Sequence, residues 1–239
     1  MIRYSTADTA FIVSCEHGGN NVPSKYKNLF SKGRQDLERH QGYDLGALRI
    51  ARSASKALGA KLYYSEVTRL LIDLNRSLSN RNLFSMYTKP MEAEEKKRLK
   101  ESYYLPYRSA VENEIATLLS RSDMIIHLSI HSFTPVLKGV KRNADIGLLY
   151  DPARKKEKEL AGQLKNAIIA QNPGLIVRYN YPYLGTSDGF VPYLRKVFGK
   201  PYIGMEFEFN QRLNSSKGAP EPEFEKQLIQ AFHLLKSDE

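Results

Sequence analysis

The 239-residue chain contains one cysteine, Cys15. A lone thiol excludes an internal disulfide framework and suits a reducing compartment. No stretch approaches the ~18 consecutive apolar residues of a membrane span. The opening MIRYSTADTAFIV places Thr, Asp and Thr where a secretory signal needs an unbroken apolar core. The expectation is a cytoplasmic protein that does not engage membranes. Also missing are a Gly-x-Ser-x-Gly elbow, a P-loop and a Gly-x-Gly-x-x-Gly turn, which removes support for the enzyme classes built on them. There is no internal repeat, no low-complexity tract and no interdomain linker.

Acidic residues are in deficit. Lys and Arg number 36 against 26 Asp and Glu, a net charge of +10. Such a balance raises nucleic acid, an anionic membrane or a small acidic substrate as partners. The basic clusters EEKKRLK (94–100) and ARKKEKE (153–159) mix in acids within helix-patterned stretches, as solvated helix faces do. No aromatic-interleaved basic repeat or zinc-knuckle spacing is present, which argues against nucleic acid. A hydrophobic share of 41% and a charged share of 26% are ordinary globular values. The length fits one domain over residues 1–239 with a full core.

Strand-like and helix-like segments alternate, which predicts an α/β fold with a largely parallel sheet and helices on both faces. After a first strand, FIVSC, the stretch 43–59 has Ala47, Ala51, Ala54 and Leu58 at helical spacing and ends at Gly59. KLYYSEV and RLLIDLNR both look extended. A helical stretch from Met91 to Arg121 is expected to bend or break at Pro106. DMIIHLSIHSFTP, DIGLLYD, LIVRYN and PYIGMEFEFNQ read as further strands. Helices are expected over 153–171 and at the end of the chain, where Phe224, Leu228, Ala231 and Leu235 share a face.

Two of these strands stop at a histidine in a polar, proline-ended exit: His17 in FIVSCEHGGNNVP and His131 in MIIHLSIHSFTP. In a parallel sheet such exits lie on one edge, where ligands bind in open α/β folds. Imidazoles meeting there suit a metal site, and zinc takes neutral imidazole and carboxylate ligands while leaving a position open for water. The bland alternative is a hydrogen-bonded histidine at each strand end. His127 lies four residues before His131 on the same pleat face, ~13 Å away at ~3.3 Å per residue, so one ion cannot hold both. It reads as structural, and His233 in the terminal helix reads as packing or surface.

The third ligand should be a carboxylate. Asp44 stands where the 43–59 helix begins, a place that also suits an N-cap. Glu16 competes, but beside His17 in an extended chain it should face the other way. Asn75 and Arg76 project from the end of RLLIDLNRS, where a guanidinium can grip a carboxylate; an internal Arg–Asp pair is the alternative. Arg69 adds a second cation if the chain bends. Glu206, Glu208 and Asn210 line one face of GMEFEFNQ, opposite Met205, Phe207 and Phe209. Buried, that acidic stripe needs a cation and offers a general base; on an edge strand it would be a solvated face. Cys15 shares a face with His17 in an extended reading, but nothing nearby is arranged to activate it.

The series CEHGGNNVP, HQGYDLGA, TRLLIDLNRS, IHSFTP, YPYLGTSDG and EFEFNQ resembles the N-formylglutamate amidohydrolase family, in that order and over nearly the whole chain. The family is similar in fold to zinc carboxypeptidases and to the aspartoacylase and succinylglutamate desuccinylase group. The resemblance implies a three-layer α/β/α sandwich around a mostly parallel mixed sheet, zinc-carboxypeptidase-like (phosphorylase/hydrolase-like), with one zinc. It makes His17, His131 and Asp44 the ligands. Asn75 and Arg76 become the grip on a substrate carboxylate with Arg69 as helper, and Glu208 the base with Glu206 as its substitute. The loop YPYLGTSDG, with Tyr183 and Gly185, is expected to cover the site, and Tyr183 to be among the substrate-binding residues. Related metallopeptidases use His-x-x-Glu, where this chain has HGGN and thus Asn20; histidine-degradation members carry PHSG in place of EHGG. The function implied is zinc-dependent hydrolysis of a linear amide in a small anionic N-acyl amino acid. A zinc peptidase for short or cell-wall peptides is the alternative enzyme, and a basic module binding nucleic acid or anionic lipid the alternative of another class.

Overall fold

Side-chain alternation builds the centre of the molecule. In a computed structural model, which describes residues 8–236, the chain runs through β1 (Thr9–Cys15), α1 (Arg34–Leu37), α2 (Ala47–Leu58), β2 (Lys61–Tyr64), α3 (Ala93–Leu99), α4 (Leu105–Leu119) and β3 (Met124–Phe133). A small hairpin of β4 (Val136–Leu137) and β5 (Val140–Lys141) follows, then β6 (Ile146–Leu149), α5 (Lys155–Gln171), β7 (Val177–Tyr179), α6 (Phe190–Phe198), β8 (Tyr202–Asn210) and α7 (Pro222–His233). Six strands form one sheet in the order β2-β1-β3-β8-β6-β7. All neighbours are parallel except β6 and β8. The sheet is therefore mixed and mostly parallel, as expected.

Because successive residues of a strand point to opposite faces, the central strands are divided lengthwise. Val13, Leu128 and Phe207 share one core with Ala54 of α2, Leu164 of α5 and Phe232 of α7. Ile12, Ile125 and Tyr202 on the other face share a second core with Val111 of α4 and Leu194 of α6. Helices thus cover both faces, giving three layers. Phe207 is fully buried and meets the ring of Phe232 edge-on, centroids 5.6 Å apart; burying such a side chain contributes about 1.5–3 kcal/mol. β8 lies inside the sheet, so its acidic stripe is not the solvated face of an edge strand. Among the described residues no helix is long and apolar enough to cross a membrane.

Three local expectations are corrected. The helix expected over 43–59 begins at Ala47, because Gly46 takes a left-handed φ of 81° and serves as its N-cap in place of Asp44. RLLIDLNR is not a strand but a run of turns, closed by local bonds such as Leu71 N–H to Thr68 O and Arg76 N–H to Asp73 O. The helix spanning Pro106 is not broken there; a five-residue π turn, Lys100–Tyr104, joins α3 to α4 with the proline in its first turn. The wider turn removes the clash a proline ring makes with the preceding coil.

Candidate metal centre and cleft

The face of the sheet that carries Ile12 and Ile125 turns polar toward its carboxyl edge. Register places Ser129 beside Glu206 and His131 beside Glu208. β1 ends at Cys15, and Glu16 and His17 lie in the turn that follows. That turn is held against the segment after β2, with Gly18 N–H donating to Ser65 O at 2.9 Å. A Cβ on Gly19 would stand 2.7 Å from Glu66 O, so only glycine allows the close approach. Asp44 is brought in by its own N–H, which donates to His17 O at 2.9 Å.

His17, Asp44 and His131 are all buried and each offers a donor atom within 4.8 Å of the others. His131 Nδ1 is 2.8 Å and His17 Nδ1 3.4 Å from the same oxygen, Asp44 Oδ2. The two rings stand edge-on with centroids 5.1 Å apart. The far nitrogens face carboxylates: His17 Nε2 is 2.7 Å from Asp73 Oδ1, and His131 Nε2 is 3.1 Å from Glu16 Oε2. This carboxylate–histidine pattern fixes which nitrogen keeps its lone pair and is the usual support behind metal-binding histidines. His17 Nδ1 is buried with no hydrogen-bond partner, which is costly unless something else fills the position. The donor set fits a divalent cation.

The electrostatics agree with that fit. Burial, aided by the Arg69 charge, holds the His17 imidazole down at about 4, against the pull of Asp73, so it is neutral and able to ligate. Burial also acts against a charge on His131, but the bond from Glu16 and the charges of Glu16, Glu208 and Glu206 outweigh it and lift the ring to about 9. The surrounding carboxylates favour positive charge at this spot. Asp73 stays well below the usual carboxylate range despite burial, because His17, Arg69 and Arg76 face it.

Glu16 does not point away from the site. Continuing the pleat of Ile12 and Ser14, it reaches His131 from behind, with Ser129 Oγ donating to Glu16 Oε2 at 2.7 Å and Tyr107 to Oε1 at 3.0 Å. His17 joins it from the turn, outside the strand that would have separated them. Asn20 is turned elsewhere, its amide donating to Leu37 O at 3.1 Å. Cys15 faces the opposite core, and burial pushes its thiol up, which leaves no reactive thiolate for His17 to pair with. His127, in the middle of β3, bonds Tyr202 Oη at 2.6 Å and Ser14 Oγ at 2.7 Å, a closed internal arrangement. His233 is exposed at the end of α7.

Around the cluster lies a cleft of about 90 Å³ lined by Arg69, Asn75, Arg76, Tyr183, Glu206 and Glu208 among others. Arg69, brought in by the bend in its segment, donates to Asp44 Oδ1. Asn75 Oδ1 accepts from Phe190 N–H at 2.7 Å and its Nδ2 donates to Glu206 Oε1 at 3.1 Å. Arg76 donates to Asp188 O at 3.0 Å, and its side chain remains 41% exposed toward solvent. Glu208 Oε2 is buried with no partner. Burial, with the Glu206 charge added, raises Glu208 to about 7 in spite of His131 and Arg69. Behind the loop, Arg108 is stacked over Phe190 at 4.1 Å and donates to the carbonyls of Leu74 and Arg76, which fixes the backbone that carries Asn75 and Arg76.

Sequence reasoning missed Asp73 and His40. Asp73 sits inside the quoted LIDLNR, yet the strand reading of that segment hid its Asx turn, in which Oδ1 also accepts from Asn75 N–H at 2.9 Å. His40, four residues before Asp44, places Nδ1 3.3 Å from Asp44 Oδ1 and bonds Gln211 at 3.0 Å. Replacing Asp73 with asparagine keeps the shape but removes the charge behind His17. Metal affinity is expected to fall about 10- to 100-fold, read by competition with a chelator; an unchanged affinity would reduce Asp73 to a loop anchor.

Comparison with known proteins adds to this geometry. The family model for N-formylglutamate amidohydrolase matches residues 9–213. A gene product of Agrobacterium tumefaciens of solved structure aligns with a TM-score of 0.75 at 26% identity, over 96% of this chain and 90% of that one. The N-formylglutamate amidohydrolase of Ralstonia eutropha aligns with a TM-score of 0.70 at 16% identity, over 95% and 93% of the two chains, a likeness of fold. No curated protein matches the sequence.

Proposed function

The chain belongs to the N-formylglutamate amidohydrolase family, and from that membership we propose that it is a zinc-dependent hydrolase cutting the amide C–N bond of a small N-acylated acidic amino acid. The observation that carries the reading is the arrangement of the two imidazoles. Both turn Nδ1 toward Asp44 Oδ2 while Asp73 and Glu16 face their far nitrogens. Two imidazole nitrogens and one carboxylate oxygen are a donor set that suits zinc with an open position, the ion taking the place of the proton that the surrounding carboxylates favour on His131. When bound by His17, Asp44 and His131, zinc supplies Lewis acidity toward the acyl oxygen and lowers the pKa of a water.

The chain's own groups do the rest. Glu208 Oε2, buried and without a partner, accepts the proton of the attacking water and passes it to the departing amine nitrogen. Glu206 is held off this task by Asn75. Arg76 takes the substrate carboxylate through its exposed guanidinium edge, with the amide of Asn75 as a neutral donor beside it. Arg69 stays with Asp44 and sets that carboxylate's orientation. The small cleft accommodates an amino-acid derivative better than an extended peptide, which favours this reading over a peptidase. Tyr183 and its loop cover the opening.

The test is hydrolysis of N-formyl-L-glutamate by the purified, zinc-loaded chain. Activity is expected to vanish on chelation and return with zinc. A zinc-loaded protein inert toward N-formyl- and longer N-acyl-glutamates would reject the proposal.

A further inference from the structure

Two arginines line the cleft, and a third, Arg142, stands behind its wall against Tyr183. Arg69 is paired with Asp44, and Arg76 lies 3.8 Å from Asp73. Arg142, just after β5, is 92% buried and, among the described residues, has no carboxylate partner. Its guanidinium lies within cation–π reach of Phe133 and Tyr183, 5.6 Å and 5.2 Å from the ring centroids. Nη2 donates to Tyr183 Oη at 3.0 Å, and Nη1 has only long contacts of 3.4 Å to Thr134. An unpaired buried charge is costly, and the cost is recovered when an anion arrives. The positive field of Arg142 already reaches Glu208 and His40 in the cleft.

Tyr183 connects this cation to the cleft. Its ring is 41% exposed and lines the opening. Since its oxygen accepts from Arg142, its own hydroxyl proton is free to donate to a ligand, and the adjacent cation strengthens that donation. We propose that the Arg142–Tyr183 pair reads the second, side-chain carboxylate of an N-acylated dicarboxylic amino acid. Tyr183 contacts the carboxylate and Arg142, as a positioning residue, supplies the compensating charge. This rests on the amidohydrolase reading, in which Arg76 already holds the other carboxylate. Selectivity for an acid over its amide then resides in a pair contributed by the hairpin and the loop after β7, apart from the metal donors.

The test compares N-formyl-L-glutamate with N-formyl-L-glutamine on the zinc-loaded chain. The wild type prefers the acid. Arg142→Met is expected to cut that preference in kcat/KM by ~30-fold or more, through a raised KM for the acid. Tyr183→Phe, which removes one oxygen from a half-exposed ring and does not threaten folding, should cut it by about 10-fold. If either variant lowers both substrates in parallel, or leaves the preference untouched, the inference is overturned while the amidohydrolase reading stands. If the wild type hydrolyses neither substrate, that reading fails, and calorimetric binding of glutarate against pentanoate decides the inference. Glutarate binding weakened by Arg142→Met and Tyr183→Phe with pentanoate unaffected upholds it, and equal effects on the two ligands overturn it.

Discussion

His131→Ala protein, purified with zinc present, is expected to carry no stoichiometric metal and to show no detectable hydrolysis. The residue supplies one of the two nitrogens aimed at Asp44 Oδ2. Losing it should weaken zinc by more than the ~100-fold that loss of a supporting carboxylate costs. Alanine also leaves Glu16 and Asp44 buried without the imidazole between them, so His131→Gln, which keeps most of the volume, separates lost ligation from lost folding. The measurement is metal content after dialysis together with a thermal melt. His127 provides the contrast, since it lies on the same strand and face but its nitrogens bond Ser14 and Tyr202. His127→Gln should lose stability and keep its metal. Full zinc occupancy in both His131 variants would dissolve the proposed centre.

Glu208→Gln is expected to bind zinc normally and to lose activity by about 10³-fold, within the range for removing a positioned proton carrier. The loss should appear in kcat, with KM little changed, because the carboxylate acts on the water and the leaving nitrogen and does not hold the substrate. Glu206→Gln should cost much less, since Oε1 is occupied by Asn75 and contributes chiefly to positioning. Pre-steady-state and steady-state rates on the same substrate tell these apart. If Glu206→Gln proved the more damaging of the two, the proton would have to move through the neighbouring side chain, and Glu208 would be a buried structural acid.

Much of this arrangement was legible in the chain. Apolar runs leading to His17 and His131 mark the strand ends to within two residues, since β1 closes at Cys15 and β3 at Phe133; parallel order puts such ends on one edge, and β1 and β3 are adjacent. The alternation in GMEFEFNQ placed Glu206 and Glu208 on one face because a pleat allows nothing else. What stayed hidden was decided where regular structure ends. An extended chain would oppose Glu16 and His17, whereas the strand closes at Cys15 and the turn brings His17 to Asp44 while Glu16 meets the far nitrogen of His131. Asp73 was masked by a segment that looks extended but satisfies its backbone through turns. Arg142 follows a two-residue strand whose sequence has no periodicity to read, and only the fold brings it to Tyr183.

The reversed direction of β6 has an evolutionary consequence. Since it runs against β8, the residues entering it arrive at the same rim where β1 and β3 finish. The loop after β7 must double back across it, so closely that a Cβ on Gly147 would meet Tyr181 O at 1.8 Å. One half of the sheet therefore presents the proposed ion-holding groups and the other half the wall that would choose among side chains. Such a split would let selectivity be altered through residues 134–144 and 181–187 without touching the proposed donors, whereas Asp188, which holds Arg76 and Ser77, has to stay.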